Sequence, residues 1–189
     1  MTQPIAPSHI PAHATQAGDG VVVGDGPVRI DAFIDFQCPF CRQFELSSGP
    51  AVAALAADGL ASVAYHPMNF LDQASTTYYS TRAAASSGCA ADQDRFLPYM
   101  HALFVNQPPE GGPGLSDAEL ADIGRSVGLA EPFTMCVAEA VYVEWPPYVT
   151  ARAMALGVEA TPTVWVDGEP VRPEAPTITA AVTAAAASR

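Results

Sequence analysis

Cys38-Pro39-Phe40-Cys41 places two thiols two residues apart, directly after a run of strand-forming residues. That spacing lets both sulfurs share the first turn of a helix and close into a small disulfide. The unpaired N–H groups and the positive dipole end of the helix stabilise a thiolate on the first sulfur, Cys38. Cys41 lies one turn further in and is shielded, so Cys38 reads as the exposed partner and Cys41 as the buried one. Pro39 occupies an early helical position that tolerates proline. The chemistry such a pair performs is thiol–disulfide exchange, in which a thiolate attacks a disulfide and a second thiol resolves the mixed product.

The other two cysteines, Cys89 and Cys136, stand alone in sequence. They read either as a structural disulfide, which favours an oxidising compartment, or as two buried free thiols; the disulfide is the pairing expected. A four-cysteine zinc site needs two paired motifs, and only one pair exists, so neither metal nor cofactor is expected. His66 and His101 read as structural residues. Glu144-Trp145-Pro146-Pro147 reads as a loop packed by its aromatic ring.

Composition limits the partners. The chain has 189 residues and a formal net charge of −12, which disfavours nucleic acid and anionic membrane surfaces. All eight basic residues are arginine, and alanine is abundant, as in high-GC bacterial coding sequences. No run reaches the roughly 20 apolar residues of a membrane span. Residues 1–20 carry no basic residue and no apolar stretch, but three prolines and two histidines. They read as a flexible arm rather than a signal peptide. The protein is expected to be extracytoplasmic if an export segment or anchor belongs to it and cytoplasmic otherwise. It is expected to be a monomer.

The elements around the cysteines follow from periodicity and turn chemistry. Strands are expected at 21–23, 28–36 and 61–71, with Pro67 marking an edge or bulge in the last. A helix from Pro39 is expected to break near Gly49-Pro50 and resume to residue 57. Residues 73–156 read as helical, with a capping box at Ser116–Glu119 and a Leu115/Leu120 staple. Thr163–Val166 reads as a strand, Asp167-Gly168 as a hairpin turn and Ala175–Ala187 as a final helix.

This order, with the segment Phe33–Cys41 and the loop Gly157-Val158-Glu159-Ala160-Thr161-Pro162-Thr163, resembles the DsbA-like branch of the thioredoxin superfamily over about residues 20–187. The resemblance implies an α/β thioredoxin-like fold with an inserted helical domain. Residues 21–72 and 157–189 would form the thioredoxin-like part, 73–156 the insertion and 1–20 the arm. It also implies a protein thiol–disulfide oxidoreductase with Cys38 as nucleophile and Cys41 as resolving thiol. Pro162 would be a cis-proline, and Pro39, Phe40, Thr161 and Pro162 would meet the substrate. Partners would be protein or peptide thiols and disulfides, together with a redox partner protein or low-molecular-weight thiol. The alternative is a peptide-binding or chaperone-like module using the same groove without turnover. Two positions depart from the branch. Ala32 stands where an acidic residue commonly lies six positions before the first cysteine, leaving Asp31 and Asp35 as nearby carboxylates. Phe40 stands where the strongly oxidising members carry histidine, so a less depressed thiol pKa and a less oxidising couple are expected.

Overall fold

The computed structural model describes residues 4–189; residues 1–3 of the arm lie outside the described residues. Five strands, β1 (Val21–Val23), β2 (Val28–Ile34), β3 (Ala61–Pro67), β4 (Thr163–Val166) and β5 (Glu169–Val171), form one sheet in the order β1-β3-β2-β4-β5. β2 and β3 pair in parallel, and every other pairing is antiparallel. The parallel pair is joined by the crossover helix α1 (Pro39–Ala57). β2 has a strand on each side, and its near-continuous apolar run reflects burial on both faces. Asp167 and Gly168 both take positive φ, 49° and 85°, as a tight hairpin between β4 and β5 demands. α7 (Ala175–Ala187) follows and packs on α1.

Between β3 and β4 lie a 3-10 turn (Asp72–Ala74) and five helices: α2 (Tyr79–Ala91), α3 (Phe96–Val105), α4 (Asp117–Ser126), α5 (Glu131–Ala138) and α6 (Trp145–Ala155). α2 is the hub of this block. Its sequence is mostly alanine and serine, so neighbouring helices approach closely, and all of its residues except Arg82 are buried. Ser116 caps α4 through a complete capping box with Glu119.

Four expectations are corrected. α1 runs unbroken through Pro50. The carbonyl that proline deprives of a donor belongs to Leu46, on the exposed side of the helix, where water can replace the lost bond. β3 stops at Pro67, which pairs with the last residue of β2, so the proline ends a strand inside the sheet. Trp145 begins α6 rather than sitting in a loop, with prolines in the first turn where no N–H is needed. Residues 17–19 of the N-terminal segment are tied down rather than flexible. Trp145 Nε1 donates to the Gly18 carbonyl (2.8 Å), Tyr148 Oη to Ala17 (2.7 Å) and Arg152 Nε to Asp19 (2.7 Å). Side chains distant in sequence therefore hold a segment whose own composition suggests disorder.

Candidate active site

β2 delivers the chain to the cysteines. Past its end, Asp35 to Cys38 form a tight turn closed by Cys38 N–H to the Asp35 carbonyl (3.0 Å). Cys38 caps α1 in an extended conformation and Pro39 follows as its first residue. Both thiols are free.

Cys38 is only 4% exposed, contrary to the expectation of an open helix end. The reason is the loop before β4. The Thr161–Pro162 peptide bond is cis, and the Thr161 carbonyl lies 3.3 Å from Cys38 Sγ and accepts from its thiol. This loop covers the helix end that the sequence alone leaves open. Cys41 is fully buried, and its sulfur accepts the Asp35 backbone N–H at 3.4 Å.

The two thiols are driven apart electrostatically. A hydrogen bond from the Cys41 thiol is the largest influence on Cys38. With hydroxyl donation by Thr161 and the N–H groups of Cys41 and Phe40, it outweighs desolvation and brings the Cys38 pKa down from 9.0 to about 6. Cys41 moves the other way: burial, then its bond to Cys38, pushes its pKa well above 9.0.

Beside the turn, Phe40, Gln43, Phe44, Ser47, Thr161, Pro162, Pro173 and Glu174 line an open groove of about 350 Å³. Phe40 is 70% exposed, although it belongs to the first turn of α1. Pro39 is also exposed.

The acidic residues separate cleanly. Ala32 is fully buried in β2. Asp31 is committed elsewhere: Arg29 and His66 bond it, and together they outweigh burial and lower its pKa to about 2. Asp35 lies behind the dithiol, fully buried. Its carboxylate accepts from the Gln37 N–H (2.9 Å), the Ser80 hydroxyl (2.7 Å) and the Leu71 N–H (2.8 Å). Despite these donors, burial raises its pKa from 3.8 to about 6, with a smaller push from the charge on Cys38.

The Asp35 shift has a consequence for stability. An acid whose pKa is higher in the folded state holds its proton more tightly there. Folding therefore loses free energy as pH rises from about 4 to about 6, and the whole penalty, about 3 kcal/mol, is present at neutral pH. Unfolding free energies of wild type and Asp35→Asn measured from pH 4 to pH 7 should converge or cross with this slope in their difference. Parallel profiles would show that Asp35 does not titrate there.

His66 and His101 do not join the cysteines. His66 is buried between the Asp19 carbonyl (2.7 Å) and Asp31 Oδ1 (2.8 Å), stacked on Phe33. His101 Nδ1 lies 3.0 Å from Glu45 Oε1. Cys89 in α2 and Cys136 in α5 are joined by a disulfide with Cα atoms 5.9 Å apart, which removes both as metal ligands. Among the described residues, no group of three or more His, Cys, Asp or Glu could hold a metal ion, and no helix is long and apolar enough to cross a membrane.

A five-stranded sheet with a dithiol at the start of its crossover helix, faced by a cis-proline loop and carrying a helical block, defines a thioredoxin-fold redox protein. The chain belongs to the thioredoxin family, whose model, Thioredoxin_4, matches residues 16–183, and it is DsbA-like within it. It is similar to the disulfide bond oxidoreductase DsbG of Mycobacterium tuberculosis, with 34% identity and a TM-score of 0.72 over 82% of this chain and 80% of that one. It is also similar to oxidised DsbA of the same organism, with 31% identity and a TM-score of 0.75 over 90% of this chain and 99% of that one. A third relative is the serine/threonine-protein kinase PknE of M. tuberculosis, 41% identical over 123 residues; the match takes in 60% of this chain and spans only 22% of the kinase.

Sequence reasoning missed Gln107. It follows α3 and its side-chain amide donates to the Phe36 carbonyl (2.8 Å) and the Cys38 carbonyl (3.0 Å). A glutamine in a loop 69 residues from its target carries no local signal. Asp35 was visible only as one of two acids near Ala32.

Proposed function

We propose that the protein exchanges disulfides with protein or peptide substrates through Cys38 and Cys41. The carrying observation is the opposed pair of thiols: one held as a thiolate near neutral pH, the other kept protonated beneath it. In the reducing direction, the Cys38 thiolate attacks one sulfur of a substrate disulfide. A Cys38–substrate disulfide forms and the second substrate sulfur leaves as a thiolate. Cys41 then loses its proton and attacks the Cys38 sulfur, closing the Cys38–Cys41 disulfide and releasing as a thiolate the substrate sulfur that was first attacked. Two electrons pass to the substrate, and the reverse sequence oxidises a dithiol. Asp35, whose backbone N–H bonds the Cys41 sulfur and whose buried carboxyl feels the charge on Cys38, is the carboxylate we propose for the Cys41 proton, in place of the acid absent at position 32.

In this reading Phe40, Pro39, Thr161 and Pro162 present the substrate-facing surface. Residues 21–72 and 157–189 carry the exchange, and 73–156 buttress it. A thiol pKa of about 6 falls between the ~3.5 of the strongest oxidants of this fold and the ~7 of reducing thioredoxins. The couple is therefore expected between about −270 and about −120 mV. Partners are protein thiols or disulfides and a redox partner that resets the pair.

The test is insulin reduction by dithiothreitol, run beside Cys38→Ser. Acceleration by the wild type that disappears in the variant supports exchange. Equal rates from both, with retained peptide binding, would instead support a non-turnover binding module.

A further inference from the structure

We propose that Gln107 is a positioning residue for the Cys38 thiol, acting from the helical block through the backbone carbonyls of Phe36 and Cys38. This rests on the exchange reading above and extends it to a residue outside the dithiol turn.

The argument starts from Pro39. A peptide plane is normally fixed from both ends, by its carbonyl and by the N–H that follows. The Cys38–Pro39 plane has no N–H, so only the carbonyl can hold it. Within α1 that carbonyl accepts one bond, from Arg42 N–H at 3.1 Å. Its second acceptor site is taken by the Gln107 amide at 3.0 Å, and the other hydrogen of the same NH₂ group reaches the Phe36 carbonyl at 2.8 Å. One planar group with two donors thus spans the turn on either side of Gln37.

The orientation of the Cys38 carbonyl is the ψ angle of Cys38, which is 119°. That angle sets the position of the sulfur relative to the helix N–H groups behind it. Those N–H groups, from Phe40 and Cys41, are among the influences that favour the Cys38 thiolate. Fixing the carbonyl therefore fixes the sulfur against its donors. Gln107 is half-buried, so water can hydrate a vacated carbonyl, but mobile water does not tie the Phe36 and Cys38 carbonyls to one rigid group.

Gln107 also has a fixed seat. Arg42, four residues after Cys38, donates through Nε to the Phe104 carbonyl at 3.0 Å, which binds α1 to the end of α3 just before Gln107. The Gln37 side chain donates to the Leu71 carbonyl at 2.6 Å on the other flank of the turn. The clamp is thus built between elements that are themselves joined, which is what a positioning group requires.

The experiment compares wild type, Gln107→Leu and Gln107→Asn. Leucine keeps bulk without donors, and asparagine, one methylene shorter, holds its amide back from the two carbonyls. The readouts are the pH dependence of thiolate absorbance in the reduced protein, the iodoacetamide reaction rate at pH 6 and the urea unfolding midpoint. The thiolate midpoint is expected to rise by about half to one pH unit in both variants. Alkylation at pH 6 should slow by up to about five-fold, following the thiolate fraction. A purely structural glutamine would lower the unfolding midpoint and leave the thiolate midpoint in place. That result in a folded variant overturns the proposal, and Gln107→Asn supplies it if Gln107→Leu does not fold. A wild-type midpoint at the ordinary thiol value overturns the exchange reading instead, while the difference between wild type and variants still decides the role of Gln107.

Discussion

Protein carrying Cys41→Ser is expected to accumulate a covalent adduct with its substrate and to lose turnover almost completely. The first half-reaction needs only the Cys38 thiolate. Its stabilising Thr161 and backbone N–H contacts remain in the variant, and a serine hydroxyl can stand in for the Cys41 thiol as a donor. The second half-reaction needs a sulfur nucleophile beneath it, and serine cannot supply one. On non-reducing gels of a reaction with a disulfide-bonded substrate, Cys41→Ser should show a band that dithiothreitol abolishes, mapping to Cys38. Cys38→Ser should show none. The opposed pKa shifts of the two thiols predict the same asymmetry in alkylation: at pH 7 the reduced wild type should be labelled at Cys38 and spared at Cys41. Adducts mapping to Cys41 would reverse the assigned roles.

The parts of this site that were legible in the sequence are those whose physics is local. A strand running into Cys-x-x-Cys, and a Thr-Pro before a late strand and hairpin turn, each carry their meaning within a few residues. Cover is not local. The loop that shields Cys38 comes from 123 residues away, so a helix end that reads as open is closed. The same holds for the N-terminal segment, whose prolines and histidines suggest disorder until Trp145, Tyr148 and Arg152 are seen to hold it. Pro50 misled in the opposite direction. Its local rule breaks helices, but the orphaned carbonyl faces the exposed side and α1 continues. Among the acids, strand alternation could not choose between Asp31 and Asp35. The choice depends on Arg29 and His66 occupying the first, and on a backbone turn placing the second behind Cys41.

Removing the Cys89–Cys136 bond is expected to lower stability by up to roughly 4 kcal/mol, the loop-entropy value for a bridge between residues 47 apart. The loss should be concentrated in the helical block. α5 has eight residues and a single buried side chain, Phe133. That ring packs edge-on against Tyr99 and fits only because Gly124 has no Cβ, which would otherwise come within 2.2 Å of it. With so small an anchor, the covalent tie to α2 adds to the packing that keeps α5 in place. α2 in turn carries Ser80, the hydroxyl donor to Asp35 behind the active-site thiols, so the bond stabilises the support of the site without taking part in exchange. Its reduction should lag that of Cys38–Cys41. Stabilising the Cys38 thiolate stabilises the reduced pair, and this makes the Cys38–Cys41 disulfide the easier one to open. A dithiothreitol titration with mass mapping should open Cys38–Cys41 first and Cys89–Cys136 only at much higher reductant or after unfolding. The double variant Cys89→Ala/Cys136→Ala should unfold at lower urea and keep insulin reduction at low temperature. If the two disulfides open together, or if the double variant keeps the wild-type unfolding midpoint, the bond is not the brace of the helical block.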